Sequence, residues 1–135
     1  MVSRNRVFLT GSFFLFVIAC AVSPSSPLTV EERLTLKHYS IGAEVKSIRN
    51  YRLNGWSSVN DRYIIVNTGV SDDYLIGFSN NCSATRSAMS IAFSSTAGGL
   101  TTSDKVLVSS SGNFIEHCFI RSITKIHKIK REPDK

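Results

Sequence analysis

The chain has 135 residues, 16 of them basic and 10 acidic, which gives a formal net charge of +6 at neutral pH. That length suits about one domain with a modest hydrophobic core. The positive charge is too small to indicate a nucleic-acid-binding protein.

The first 19 residues have the pattern of an export signal. Arg4 and Arg6 stand in an opening segment without acids, and an apolar run follows from Val7 to Ala19. A positive start followed by about 7–15 apolar residues is typical of a secretory signal, whereas a membrane-spanning helix needs about 20. We therefore predict a lipoprotein signal peptide over residues 1–19, with a buried N-terminal helix or a retained anchor as the alternatives.

Cys20 directly follows this apolar run. The stretch Val17-Ile18-Ala19-Cys20 resembles the lipobox of bacterial lipoproteins, which implies a diacylglycerol on the Cys20 thiol and cleavage before it. Two or three acyl chains hold a protein on a bilayer, because each buried methylene contributes about 0.8 kcal/mol. The alternative is cleavage after Ala21 by the ordinary signal peptidase, which would release a soluble periplasmic protein.

Both routes lead out of the cytoplasm, and the lipoprotein interpretation predicts the outer membrane, facing the periplasm. Residue 21 is Ala rather than Asp, and in known lipoproteins this weighs against retention in the inner membrane. Loss of residues 1–19 removes Arg4 and Arg6, so that the formal charge falls from +6 to +4.

Three further segments flank the folded body. Residues 20–29 are small and polar and predict an extended tether, although an ordinary loop has the same composition. Thr29 and Glu32 have capping-box spacing, which predicts a short helical lead-in over residues 30–44. The basic residues of 128–135 predict a flexible, solvated tail, and the alternative is attraction to anionic lipid or an envelope polymer.

Residues 45–127 are predicted to form a mainly β domain. Tyr74, Ile76 and Phe78 alternate with their neighbours at the period of a strand. We predict a small antiparallel barrel or sandwich of about five to six strands, with a helical turn within residues 83–89. The candidate strands are residues 44–53, 61–67, 74–78, 90–94, 105–109 and 115–123, and the second and third of these are expected to form a hairpin.

Cys82 and Cys118 remain after export. An even number of cysteines in an oxidising compartment predicts a disulfide between them, with two buried free thiols as the alternative. A metal site that uses His117 and Cys118 is disfavoured, because adjacent strand residues point to opposite faces and no ligand pair has a short spacing. We predict no metal and no cofactor.

No constellation of catalytic residues is present in the sequence. It has no G-x-S-x-G, no H-E-x-x-H, no Walker loop and no dinucleotide fingerprint. His38, His117 and His127 are scattered, and Asp72 and Asp73 fall in a predicted turn, where a solvated pair is expected. We predict that the protein is not an enzyme.

The order of several motifs resembles a family of short secreted or lipid-anchored proteins of Gram-negative bacteria whose function is unknown. The motifs are RNYRLNGW from Arg49, DYLIGFSNNC ending at Cys82, TTSDK with Asp104, and CFIRSITKI from Cys118. The positions that match, within about residues 45–127, are Arg49, Tyr74, Leu75, Cys82, Asp104, Cys118, Ile120 and Ile123.

This resemblance implies a fold and a secreted location, but no chemistry. Many members of the family carry a further cysteine just before the Asp-containing turn, where this chain has Gly98, Gly99 and Leu100. Whether Cys82 and Cys118 pair as the cysteines of those members do is therefore left open by the resemblance.

The function expected from these observations is a non-catalytic binding or interaction module, anchored through lipid on Cys20, that contacts another envelope protein or peptidoglycan. Arg and aromatic residues are enriched at interface centres, so the candidate contact residues are Arg49, Arg52, Trp56 and Tyr74. The alternative for Trp56 and Tyr74 is a place in the core. The alternative functions are a soluble periplasmic inhibitor with an exposed loop and a small-ligand carrier with a deep apolar cavity.

Overall fold

The computed structural model describes residues 27–49, 51–95, 98–111 and 115–130. The predicted signal peptide, Cys20 and most of the predicted tether lie outside these ranges, as do residues 131–135 of the predicted tail. Within them the chain is mainly β, as predicted, with a short α-helix (α1, Val30–Leu36) and a 3-10 helix (Ser83–Arg86). In this part of the chain no helix is long and apolar enough to cross a bilayer.

The strands form one large curled sheet and a two-stranded ribbon. All pairings are antiparallel, and the large sheet has the order β3-β4-β5-β9-β8-β6, with β1 paired to the far end of β9. The ribbon pairs β2 with β7. The curl makes the fold a half-barrel rather than a sandwich. The strands are β1 (Tyr39–Val45), β2 (Ser47–Arg49), β3 (Leu53–Asn60), β4 (Tyr63–Thr68), β5 (Asp72–Phe78), β6 (Ser90–Phe93), β7 (Gly99–Thr101), β8 (Lys105–Ser109) and β9 (Ile115–Lys128).

The concave face of the sheet carries the larger hydrophobic core. Side chains from four strands of the sheet meet there: β4, β5, β8 and β9. The ribbon (β2 and β7) and the segment of the 3-10 helix contribute to the same cluster. We call this cluster the concave core. Its buried members are Ile48, Ile64, Val66, Ile76, Phe78, Cys82, Ala84, Leu100, Val106, Val108, Cys118, Ile120 and Ile123.

Helix α1 covers the opposite, convex face. Leu34 is fully buried there against Val59, Ile65, Leu75 and Ile126. Burial of one such leucine contributes about 1.5–3 kcal/mol. Covering both faces explains why consecutive residues of β4 are buried, although adjacent strand residues point in opposite directions.

A bulge in β9 explains the curl next to β5. Gly77 pairs with Ser122 and Phe78 pairs with Ile120, which leaves Arg121 as an extra residue. Such an insertion bends a strand and increases its twist. It also places Ile120 on the same face as Ile123, three residues later, so that both enter the concave core.

The predicted helical lead-in over residues 30–44 ends earlier than expected. The capping box is present, since Thr29 accepts from the Glu32 backbone and Glu32 accepts from that of Thr29. His38 then adopts a positive φ of 62°, and β1 begins at Tyr39. Pairing with β9 gives residues 39–45 their backbone partners, so this segment belongs to the sheet and not to the helix.

Candidate functional site

A small depression opens at one end of the concave face, where β2 and β3 pass the turn between β4 and β5. Its volume is about 110 Å³. Three of the four predicted contact residues, Arg49, Arg52 and Tyr74, line it together. We call this depression the mouth, and its full lining is Ile48, Arg49, Tyr51, Arg52, Thr68, Gly69, Asp72 and Tyr74.

Trp56, the fourth predicted residue, does not line the mouth. Strand register places it in one row across four strands with Val66, Tyr74 and Lys125. Trp56 and Tyr74 therefore share the concave face with one strand between them, and both side chains are half-buried. Tyr74 packs against the concave core, as the alternative interpretation predicts, and also lines the mouth. Its role as a contact residue stays a prediction.

The lining of the mouth carries more positive than negative charge, with two arginines and one aspartate. Lys125 Nζ lies 3.1 Å from Asp72 Oδ1, and the hydrogen bond with Asp72 and then its charge raise the pKa of Lys125. Arg49 and Arg52 are exposed, and neither forms an ion pair within the described ranges. The acid at the mouth is thus paired with lysine, while two guanidinium groups face solvent.

Tyr51 is a lining residue that the sequence interpretation missed. Its ring meets that of Phe93 edge-to-face, with centroids 5.4 Å apart and planes at 86°. Burial raises the pKa of Tyr51, as does the charge of Asp104, while a hydrogen bond with Ser95 lowers it. The neutral phenol is a fixed wall of the mouth, and its place between two arginines in RNYR was the available signal.

Asp104, a position of the family resemblance, closes the turn between β7 and β8. Its carboxylate accepts from the backbone N–H and the hydroxyl of Thr101, at 2.8 and 2.9 Å, and from the hydroxyl of Ser94 at 3.3 Å. Three such hydrogen bonds fix the turn. The role of this residue is therefore structural.

Asp72 and Asp73 are not the solvated turn pair that the sequence indicated. Both lie in β5, where adjacent side chains point to opposite faces. Asp72 joins the mouth, whereas Asp73 is 4% exposed, accepts from the Asn67 amide and lies 3.4 Å from Lys128 Nζ. The expectation was wrong because β5 begins two residues earlier than predicted.

Cys82 and Cys118 form a disulfide, as the sequence predicts. Their Cα atoms are 5.7 Å apart and both residues are fully buried, so the bond ties the start of the 3-10 helix to β9. Glu116 lies beside them and accepts from the N–H of Ala84 at 2.8 Å. The ligand atoms of Cys82, Glu116 and Cys118 lie within 4.8 Å of one another. Because the sulfurs are bonded to each other, this set lacks the thiolates that a metal would require.

A second, larger depression of about 380 Å³ lies on the convex face, between α1 and the strands β1, β5 and β9. The sequence interpretation did not predict it. Glu31, Glu44 and Arg121 bring charges of both signs to its wall. The mouth is the stronger candidate for a binding site, because it combines tyrosine side chains with two arginines that form no ion pair in the described part of the chain.

Comparison with known proteins identifies a family but no activity. The family model described as "Family of unknown function (DUF6491)" matches residues 3–133. This match covers nearly the whole chain, including the apolar N-terminal segment and Cys20. No curated protein and no solved structure matches the chain.

Proposed function

The chain belongs to the DUF6491 family, whose function is unknown, and we propose that it is a non-catalytic binding module held at the outer membrane by lipid on Cys20, facing the periplasm. In this proposal the mouth contacts an envelope partner. The partner is another envelope protein or peptidoglycan, and the contacting residues are Arg49, Arg52 and Tyr74, joined by Tyr51.

The observation that carries the proposal is the convergence of Arg49, Arg52 and Tyr74 on one depression. Residue type alone suggested them, and β2, the start of β3 and β5 bring them together. A guanidinium group offers donors that match a carboxylate or phosphate in a two-bond geometry. A pair of exposed arginines beside tyrosine rings is therefore suited to hold an anionic group of a partner.

The anchor is supported by the sequence around Cys20, Val17-Ile18-Ala19-Cys20. The tether of residues 21–29 spans at most about 30 Å when fully extended, since each residue adds about 3.3–3.6 Å. A lipid on Cys20 would thus keep the half-barrel within reach of partners at the bilayer surface. Intact mass from native membranes tests this step: a mass above that of residues 20–135 by diacylglycerol and acyl groups supports it, and the mass of residues 22–135 contradicts it.

A binding module agrees better with the interior of the fold than a small-ligand carrier. A carrier requires a deep apolar cavity, commonly about 300–1,000 Å³. The concave core instead fills the half-barrel with fully buried side chains such as Ile76, Phe78 and Val106. The mouth, at about 110 Å³, has room for a single small group and not for a whole ligand.

The test is the double variant Arg49→Ser/Arg52→Ser. The matched control is Lys37→Ser/Lys130→Ser, which removes the same charge from exposed residues outside the mouth. Each full-length protein is purified from membranes, immobilised, and incubated with solubilised envelope proteins or with purified peptidoglycan sacculi. We expect the arginine variant to lose the bound partner while the control retains it, with equal unfolding midpoints. Equal retention by all three proteins contradicts the proposal.

A further inference from the structure

The outer edge of β3 is unusually open for the edge of a sheet. β3 is eight residues long and ends the sheet order, whereas β6 at the other end has four residues. Among the described residues, backbone hydrogen bonds join β3 to β4 and to no other strand. The 3-10 helix packs against the second half of this strand, where the Ser58 hydroxyl donates to that of Thr85 at 3.4 Å. The outward N–H and C=O groups of the first half have no backbone partner among the described residues.

Natural proteins usually protect an edge strand with charged residues, proline, bulges or short length. The sequence of β3, LNGWSSVN, contains no charged residue and no proline. Its pairing is irregular at both ends, between Leu53 and Gly55 and between Ser58 and Asn60, but regular from Gly55 to Ser58. The central part of β3, Gly55 to Ser58, is thus a regularly paired, neutral edge without a charge that would repel another strand.

The mouth lies at the start of this edge. Arg52 immediately precedes β3, and its carbonyl oxygen accepts from the N–H of Gly69 at 3.4 Å, which ties it to the turn between β4 and β5. Its guanidinium group and that of Arg49 have no acidic partner in the described ranges. Trp56, within β3, presents a half-buried indole on the concave face. A strand laid along β3 would pass this indole and reach the arginines.

We propose that β3 is a docking strand for an extended acidic peptide of an envelope protein. The peptide backbone pairs with the outer edge of β3, and a carboxylate of the peptide binds Arg49 and Arg52. Main-chain hydrogen bonds supply the affinity and the arginines select the acid, as in other cases of strand addition. This inference rests on the proposed function and narrows its partner to a peptide.

Charge favours such a peptide over a second copy of this chain. If two β3 strands paired with each other, neither would bring an acid to Arg52, because β3 contains none. Asp61, the acid that directly follows β3, is already bound to Arg86, with Oδ1 and Nε 2.6 Å apart. An acidic peptide could pair its backbone with the outer edge of β3 and at the same time place a carboxylate on the two arginines.

The experiment selects ligands from a displayed library of random peptides of about twelve residues, which is enough to span β3. The full chain, purified from membranes in detergent, is the target. We expect selected peptides to contain Asp, Glu or a free C-terminus beside β-branched residues. Two sets of peptides, N-methylated at the odd or at the even amides, should behave differently. One set should bind about tenfold or more weakly and the other almost normally, because only every second N–H of the peptide faces β3. Hydrogen exchange at the β3 amides should slow when the peptide binds.

The variants separate the possible failures. Arg49→Ser/Arg52→Ser should weaken the selected peptides about tenfold, and Lys37→Ser/Lys130→Ser should leave them within about twofold. If the arginine variant loses peptide binding but neither set of N-methylated peptides binds more weakly, strand addition is overturned and the proposed function stands. Selection of no peptide, while sacculi are retained through the arginines, likewise overturns the peptide partner alone. If neither the arginine variant nor N-methylation of the peptide changes binding, both proposals are overturned.

One result would overturn the inference before any peptide is added. If the outward amides of β3, those not bonded to β4, already exchange in the free chain as slowly as the amides of β4, the edge is covered by a second copy or by another segment of this chain. Dilution of the protein would then distinguish the two covers, since only pairing between copies depends on concentration.

Discussion

Replacing both Cys82 and Cys118 with alanine should lower the free energy of unfolding by about 3–4 kcal/mol. The bond closes a loop between positions 36 residues apart, and the loss of that restraint increases the entropy of the unfolded chain. Alanine is the appropriate replacement because both residues are fully buried, and a serine hydroxyl would be left without water there.

Urea unfolding monitored by Trp56 fluorescence measures this change. With an m-value of about 2 kcal/mol per molar, the midpoint should fall by roughly 2 M. Reductant added to the unmodified protein should produce a similar shift without any change of sequence. A loss below about 1 kcal/mol in both experiments would mean that the bond restrains little of the unfolded chain, contrary to this prediction.

Three further predictions concern single residues. Gly42→Ala should destabilise the fold by about 1–3 kcal/mol in the same urea assay, because the new Cβ would lie 2.6 Å from the Lys125 carbonyl oxygen. The control is Gly55→Ala, whose Cβ would meet only an ordinary contact. It should change the free energy of unfolding by less than about 0.5 kcal/mol. Thr29→Ala should cost about 1 kcal/mol by removing the cap of α1, and Thr29→Ser should restore most of it. Asp72→Asn should lower the pKa of Lys125 in an NMR titration, because Asp72 raises it; the contribution of this pair to stability is present while Lys125 is protonated and is lost as pH rises through that raised value. An unchanged Lys125 titration would contradict the pairing.

The segments with the strongest strand patterns in the sequence are strands in the structure. The predicted hairpin is β4 and β5, paired from Tyr63 with Gly77 to Thr68 with Asp72. The candidates at 90–94 and 105–109 became β6 and β8, and the predicted turn within 83–89 contains the 3-10 helix. β-branched and aromatic residues dominate β4, and β8 has two buried valines at the period of a strand, so in these segments local preference agrees with the tertiary fold.

β3 and β7 were missed because their residues resemble those of loops. β3 contains glycine, asparagine and serine, and its pairing with β4 makes it a strand. β7 has three residues, and its pairing with β2 lies about fifty positions away in sequence. β3 therefore depends on its neighbour β4 and β7 on the distant β2, so that tertiary pairing rather than local preference decides both strands.

The candidate site was predictable in its residue types but not in its assembly. The residue types predict Arg49, Arg52 and Tyr74 as contact residues, yet only the return of β5 beside the end of β2 shows that they line one depression. Tyr51 was passed over, and Trp56 was named although it lies outside the mouth. Side chains from different strands converge through register, which a single sequence does not encode locally.

The most direct test of binding at the mouth is photo-crosslinking in living cells. Val70 is fully exposed and adjoins Gly69 of the mouth, so a photoreactive amino acid there should contact a bound partner without replacing an arginine. If a partner binds at the mouth, we expect a defined adduct from position 70, its loss in the Arg49→Ser/Arg52→Ser background, and no adduct from position 37. An adduct that persists without the arginines, or equal adducts from both positions, would contradict binding at the mouth, as would the absence of any adduct from position 70.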